Sequence, residues 1–285
     1  MKISRLAKVR FHKISFITIC AVAFMALFCL VVFFINQNTS SQQTATSRDE
    51  KIEYNNSIST NLELSDVSVL EIADTYAHAA GTIYLTFDDG PGPYTAKLLD
   101  ILKKYDVKAT FFVTGSGDDA LIKREYDEGH TVGLHTWSHR YDIIYSSVEN
   151  YFNDLNMVHD RVQRITGQDS RLIRFPGGSS NVISAKYDGG IKIMSFLTQE
   201  VLNRGFSYFD WNLASGDAGS ATTSDEVFVN VAAHLKEGSN VVLQHDIKEF
   251  SVDAVERIIQ YGEENGYSFD KLSINSFAAR HGVNN

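Results

Sequence analysis

The chain has 285 residues, 44% of them apolar, enough for one sizeable core and too many for global disorder. Its formal charge of −9 hides an asymmetry: Lys2, Arg5, Lys8, Arg10 and Lys13 place +5 at the extreme N-terminus, with no acid before Asp49, and subtracting that from −9 leaves −14 on the rest. So acidic a body argues against nucleic acid as a partner, because phosphate contacts need clustered Lys and Arg.

Residues 14–35 follow the basic stretch as 22 uncharged residues, with Ser15 and Thr18 the only polar interruptions. As a helix they would span about 33 Å, enough for the hydrocarbon core of a bilayer. The one-sided basic flank would keep residues 1–13 in the cytoplasm and send the body outside. The expectation is a single-pass anchor in the cell membrane. The alternative is a cleaved secretory signal, whose apolar core usually runs only roughly 7–15 residues, and no clear Ala-x-Ala site follows here. Both cysteines, Cys20 and Cys29, lie inside this run, so the remainder can form no disulfide. Residues 36–59 are rich in Ser, Thr, Gln and Asn and read as a solvated tether; 61–80 read as a short capping helix.

From Gly81 onward, short apolar runs alternate with helical spacing. The spacing predicts strands over 83–87, 109–113, 131–134, 172–175, 208–211 and 241–243. Helices are predicted over 95–105, 118–128, 148–165, 193–203, 224–235 and 254–261. Alternation of this kind implies parallel strands with helical crossovers, and about seven such units suggest a barrel. Asp88, Asp89, His135, Arg174, Asp210 and His245 all fall just after predicted strands, on the side where barrels assemble their chemistry.

The residue types at these positions suggest a division of labour. His135 and His139, at i and i+4, bring two imidazoles to one ion. With a carboxylate from the Asp88-Asp89 pair they make the ligand set of an open catalytic metal site. Adjacent carboxylates at a strand end point in different directions, so one can bind the ion while the other serves as a base toward water. Taken alone, Asp88 to Pro93 could equally be a turn, and the histidines surface residues of a helix. Thr136 and Ser138 are candidates to orient the imidazoles. Arg174 could hold a carboxylate by a two-pronged ion pair and depress its pKa. Gly177 and Gly178 could bring backbone N–H groups to an oxyanion. His245 is a candidate general acid, with Asp210 as the partner that keeps it protonated. Trp211 and Leu243 could wall a small apolar pocket. The remaining histidines, His12, His78, His130, His159, His234 and His281, read as structural or surface residues.

In this order, Thr-Phe-Asp-Asp-Gly, His-Thr-x-x-His, Arg-x-Pro, Asp-Trp and Leu-x-His resemble the five motifs of the polysaccharide deacetylase family, carbohydrate esterase family four. The resemblance covers roughly residues 81–267. It implies a distorted (β/α) barrel, metal-dependent removal of acetyl groups from a polysaccharide, and a catalytic domain over 81–285. It also implies Asp88 as base, Asp89, His135 and His139 as metal ligands, Arg174 orienting the base, and Asp210 supporting the acid His245. Pro176 and Gly177 would lie on the substrate side, with Trp211 and Leu243 forming the acetate-methyl pocket. Many members carry an aromatic residue where Gly177 stands; glycine keeps the N–H but offers no ring to the sugar.

The expected protein is thus a membrane-anchored, extracytoplasmic N-deacetylase using a divalent ion, zinc first and cobalt or another ion as alternatives. Its expected substrate is N-acetylglucosamine in peptidoglycan. The alternatives are an O-acetyl (xylan) esterase, a deacetylase of chitin or an exopolysaccharide, and, from another class, a non-catalytic glycan-binding module.

Overall fold

The computed structural model describes residues 81–285. The basic tail, the apolar run at 14–35, the tether and the cap at 36–80 lie outside the described residues, and none of the described helices is long and apolar enough to cross a membrane.

Eight strands form one sheet. These are β1 (Gly81–Asp88), β2 (Thr110–Val113), β3 (Thr131–Leu134), β4 (Leu172–Ile173), β5 (Ser207–Tyr208), β6 (Leu213–Ala214), β7 (Gly238–His245) and β8 (Tyr267–Phe269). The main path runs β5-β4-β3-β2-β1-β7-β6, every pair is parallel, and β8 adds to β1. The expected seven-strand circuit is therefore present, but the path ends at β5 and β6 without joining them, so the sheet is an open half-barrel. The helices are α1 (Thr95–Lys104), α2 (Asp119–Asp127), α3 (Tyr141–Ile144), α4 (Val148–Thr166), α5 (Ile193–Asn203), α6 (Ser224–Ala232) and α7 (Glu249–Glu264).

Alternation along the strands builds two cores. Ile83, Leu85, Phe87, Phe111 and Val113 face the helices, meeting Leu98, Leu99 and Leu102 of α1 and Val252, Val255, Ile258 and Ile259 of α7. Each such side chain, fully buried, stabilises by about 1.5–3 kcal/mol relative to exposure. The intervening Tyr84 and Phe112 face the other way, joining Leu172, Phe209 and Val241 in a second cluster on the concave side. A strand buried on both faces carries no alternating polar pattern, which is how β1 ends.

Local signals set the ends of several helices. Ser147 caps α4 by accepting from Asn150 N, and Gly167 closes it at φ 75°. Thr223 and Glu226 form a complete capping box on α6. The sequence reading did not anticipate α3, β6 and β8, which are two to four residues long, too short for periodicity to register.

The register of β1 against β7 matters most for function. Gly81 pairs with Gly238, and at the eighth consecutive pair Asp88 lies beside His245. Two residues separated by more than half the described chain are thereby fixed as neighbours at the carboxyl end of the sheet.

Candidate active site

Beyond the ends of β1, β3 and β7 lies a cleft of about 390 Å³, lined by Asp88, Asp89, His135, His139, Gly177, Trp211, Leu243 and His245, together with Tyr141, Ala218 and Lys248. Its size is that of a small-ligand pocket. Eight of the eleven site residues that the resemblance implies therefore meet here. Arg174 and Asp210 sit behind the cleft wall. Pro176 does not reach it: it is buried, and its carbonyl accepts from Tyr145 Oη at 2.6 Å.

Asp89, His135 and His139 form one cluster, with a ligand atom from each within 4.8 Å of the others. Asp89 Oδ1 is 3.5 Å from His135 Nε2 and 3.3 Å from His139 Nε2, and is buried without any hydrogen-bond partner. A buried, unpaired carboxylate oxygen facing two imidazole nitrogens is what a cation would satisfy. His135 fits the same reading. Its Nδ1 lies 2.8 Å from the Arg174 carbonyl, which leaves Nε2 with a lone pair toward the cluster. Burial first, and then the His139 charge, push its pKa down to about 3, against the pull of Asp89, so it is neutral. The residues present fit a divalent cation.

The backbone here is strained: Asp89, Thr136 and His139 have φ of 74°, 66° and 51°. The two histidines converge through a loop with left-handed turns, not along a helix face. Buried Asp154 of α4 clamps that loop, accepting from Trp137 N at 2.6 Å and Ser138 N at 3.0 Å. The expected roles of Thr136 and Ser138 are not realised. Thr136 Oγ1 has no partner, and Ser138 Oγ accepts from Arg140 N.

Asp88 is the residue Arg174 holds, although through one prong. Nη1 donates to Asp88 Oδ1 at 2.8 Å and to Thr86 Oγ1 at 2.7 Å, while Nε and Nη2 go to the carbonyls of Phe209 and Asp210, both at 2.9 Å. The guanidinium is fully buried and lies 4.4 Å above the Phe112 ring. Two carbonyls compete for the fork, so the two-pronged pair does not form. Nor is Asp88 pushed below its ordinary range: its burial raises the pKa and outweighs the lowering effect of Arg174. A carboxylate made more basic in this way is a better proton acceptor.

His245 contradicts one expectation. Its Nδ1 pairs with Asp217 Oδ1 at 2.9 Å, its backbone N donates to Asp217 Oδ2 at 2.7 Å, and Ser251 Oγ donates to the same oxygen at 2.7 Å. Burial lowers the His245 pKa, but the hydrogen bond and charge of Asp217 outweigh it and raise the balance above 6.5. Asp210 is not its partner. Both Asp210 oxygens are engaged, by Ser179 N (2.7 Å), Ser179 Oγ (2.5 Å) and His281 N (2.8 Å). Asp210 thus anchors the Gly177–Gly178–Ser179 turn. Asp217 follows the two-residue β6 in a Ser-Gly-Asp-Ala-Gly loop. The rule that found Asp88, a carboxylate just past a strand, would have found it had β6 been visible.

Gly177 has φ 76° and lines the cleft, and among the described residues no group accepts from its N–H. Next to it Gly178, at φ 80°, must be glycine, because a Cβ there would lie 2.9 Å from Trp211 Cη2.

The family model for polysaccharide deacetylases matches residues 76–189. A peptidoglycan-N-acetylglucosamine deacetylase of Bacillus cereus is 36% identical over 195 residues, 66% of this chain and 67% of its own length. The peptidoglycan-N-acetylmuramic acid deacetylase PdaA of Bacillus subtilis is 32% identical over 67% of this chain and 70% of its own. Among solved structures, the catalytic domain of a peptidoglycan N-acetylglucosamine deacetylase from Eubacterium rectale superposes with a TM-score of 0.69 at 49% identity, over 72% of this chain and 94% of that one. A parallel half-barrel with this carboxylate–histidine cluster at its carboxyl end is the frame of a hydrolase. The chain belongs to the polysaccharide deacetylase family and is a polysaccharide N-deacetylase.

Proposed function

We propose that this enzyme removes the N-acetyl group from N-acetylglucosamine residues of peptidoglycan, with a divalent cation, zinc first, at Asp89, His135 and His139. One observation carries the reading: a cluster of three side chains able to ligate a cation, an Arg-held carboxylate and an Asp-held histidine border one cleft. The names of the B. cereus and E. rectale relatives support the choice of sugar.

Held there, a divalent cation supplies the positive charge that polarises an amide carbonyl and acidifies water. Asp88 accepts the proton of the attacking water. As the acetyl carbon becomes tetrahedral, its oxygen faces the free N–H of Gly177. Trp211 and Leu243 enclose the methyl group and exclude bulk water. Asp217 fixes His245 Nδ1, leaving Nε2 to pass its proton to the sugar nitrogen as the C–N bond breaks. The products are acetate and a free amine on the polymer. Keeping the base, all three ligands and the acid disfavours a non-catalytic glycan-binding module.

The proposal extends to location: residues 14–35 anchor the chain in the cell membrane, and the catalytic domain works outside it. Acetate release from purified cell wall, chitin oligomers and acetylxylan, assayed side by side, tests the substrate. Preference for wall is expected, and preference for acetylxylan overturns it. Recovery of the full-length chain with membranes tests the anchor, and a mature N-terminus within residues 36–46 overturns it.

A further inference from the structure

Trp211 has a second hollow beside it. The sheet path stops at β5 and β6, and the segment after β8 runs into that seam: Asp210 N donates to the Ala279 carbonyl, and His281 Nε2 lies 2.7 Å from the Trp211 carbonyl. A hollow of about 480 Å³ opens there, lined by Trp211, Asn212 and Ala214 on one side and by Phe277, Arg280 and His281 on the other. Since Trp211 also lines the catalytic cleft, the two spaces share a wall.

The lining chemistry is distinctive. Phe277 is 52% exposed and presents its ring at the rim of the hollow. The Trp211 indole is held edge-on by His281 with ring centroids 4.8 Å apart. Arg280 lies with its guanidinium 4.4 Å over Tyr208 and has no carboxylate within ion-pair distance among the described residues. Its protein hydrogen bonds are long: 3.5 Å to the Tyr208 carbonyl and 3.4 Å to Ser207 Oγ. On a chain of net charge −9, Arg280 is thus a cation without a carboxylate partner at the edge of the hollow.

Two aromatic rings and one available guanidinium match a particular ligand. The C–H faces of a pyranose pack on aromatic rings by dispersion and apolar burial. A guanidinium recognises a carboxylate by paired, charge-assisted hydrogen bonds. A polymer that places one sugar in the cleft must run out across a cleft wall. We propose that the Trp211–Phe277–Arg280 hollow is a subsite for the neighbouring saccharide, specifically one bearing a free carboxylate, as N-acetylmuramic acid does where its lactyl group carries no stem peptide.

This rests on the deacetylase reading above, and the test separates the two. The substrates are a neutral N-acetylglucosamine tetramer and a tetrasaccharide alternating N-acetylglucosamine with N-acetylmuramic acid. The wild-type enzyme should favour the acidic tetrasaccharide in kcat/KM, and the preference should weaken as salt rises. Arg280→Gln should lower the acidic-to-neutral ratio about tenfold, the scale of one charge-assisted contact at a partly open site. Arg280→Lys should recover part of it, as a point charge without the fork. Phe277→Ala should raise KM on both substrates. Acetate released from the neutral tetramer reports the activity itself, and the ratio reports the subsite. Affinities of both oligosaccharides for the Asp88→Asn enzyme, with and without Arg280→Gln, read the same ratio without turnover. A ratio unmoved by Arg280→Gln in both kinetics and affinity would overturn the subsite, as would a wild-type enzyme indifferent to the carboxylate.

Discussion

The two walls of the cleft are built on opposite principles. On the ion side, Asp89, Thr136 and His139 sit at positive φ, and Asp89 Oδ1 and Thr136 Oγ1 are buried without partners. On the acid side, Asp217 makes bonds to His245 Nδ1, His245 N and Ser251 Oγ, and its own carbonyl accepts from Lys248 Nζ. The first wall stores strain and an unmet electrostatic demand. The second is complete as it stands. Strain of this sort persists only when something compensates it, and on the ion side a cation held by Asp89, His135 and His139 would do so. The acid wall, by contrast, is preorganised by protein alone.

The largest expected effects fall where the two walls meet. Asp88→Asn should lower kcat by roughly 10²–10⁴-fold while bound metal stays near stoichiometric, because the ligand cluster is intact. Asp89→Asn or His139→Ala should remove metal and activity together, checked by elemental analysis of the purified protein. The unmet demand also predicts a stability difference. Added divalent ion at a hundred times its Kd should stabilise the wild type by about 2.7 kcal/mol and should stabilise Asp89→Asn far less, as read by urea unfolding. Equal stabilisation of both would erase the contrast between the walls.

Next come the two aspartates. Asp217→Asn should depress turnover of N-acetyl substrates and move the basic limb of the pH profile downward. Asp210→Ala should leave that limb in place and instead cost about 1–3 kcal/mol of stability, since it orphans the Ser179 and His281 donors. His245→Ala should hurt amides more than activated aryl acetates, whose leaving groups need no proton. The wild-type profile should be bell-shaped. Its acidic limb belongs to Asp88, raised above 3.8, so activity appears as the pH climbs through that pKa. Its basic limb belongs to His245, raised above 6.5, so activity is lost as the pH climbs through that one.

The smallest effect lies away from both walls. His130 accepts from Ala109 N through Nδ1, and burial holds its pKa at about 4 against an ordinary 6.5. The unfolded chain therefore takes up this proton first, and stability attributable to neutral His130 is lost as pH falls from 6.5 toward 4. His130→Gln should flatten the pH dependence of the urea midpoint in that window.

What was legible in the sequence follows the same divide. The ion wall is written in two short contiguous stretches, Asp88-Asp89 and His135 to His139, each at the end of a strand whose apolar run is visible. The acid wall depends on which of two aspartates, Asp210 or Asp217, tertiary packing brings to His245. That choice is made by β6, a strand of two residues with no periodic signature. The single prong of Arg174 was likewise not readable, because it follows from competition by the Phe209 and Asp210 carbonyls. The strand-and-helix alternation gave the parallel sheet, but the open seam between β5 and β6 is a property of pairing.

The central claim is that Asp217, not Asp210, holds His245 as a protonated acid across from an ion-dependent wall. The direct measurement is the titration of His245 followed by imidazole ¹⁵N shifts in wild type, Asp217→Asn and Asp210→Asn. The account predicts a pKa above 6.5 in wild type and Asp210→Asn, and one falling below 6.5 in Asp217→Asn, where burial is left unopposed by its partner's charge. An unchanged pKa in Asp217→Asn, or a fall confined to Asp210→Asn, would contradict it.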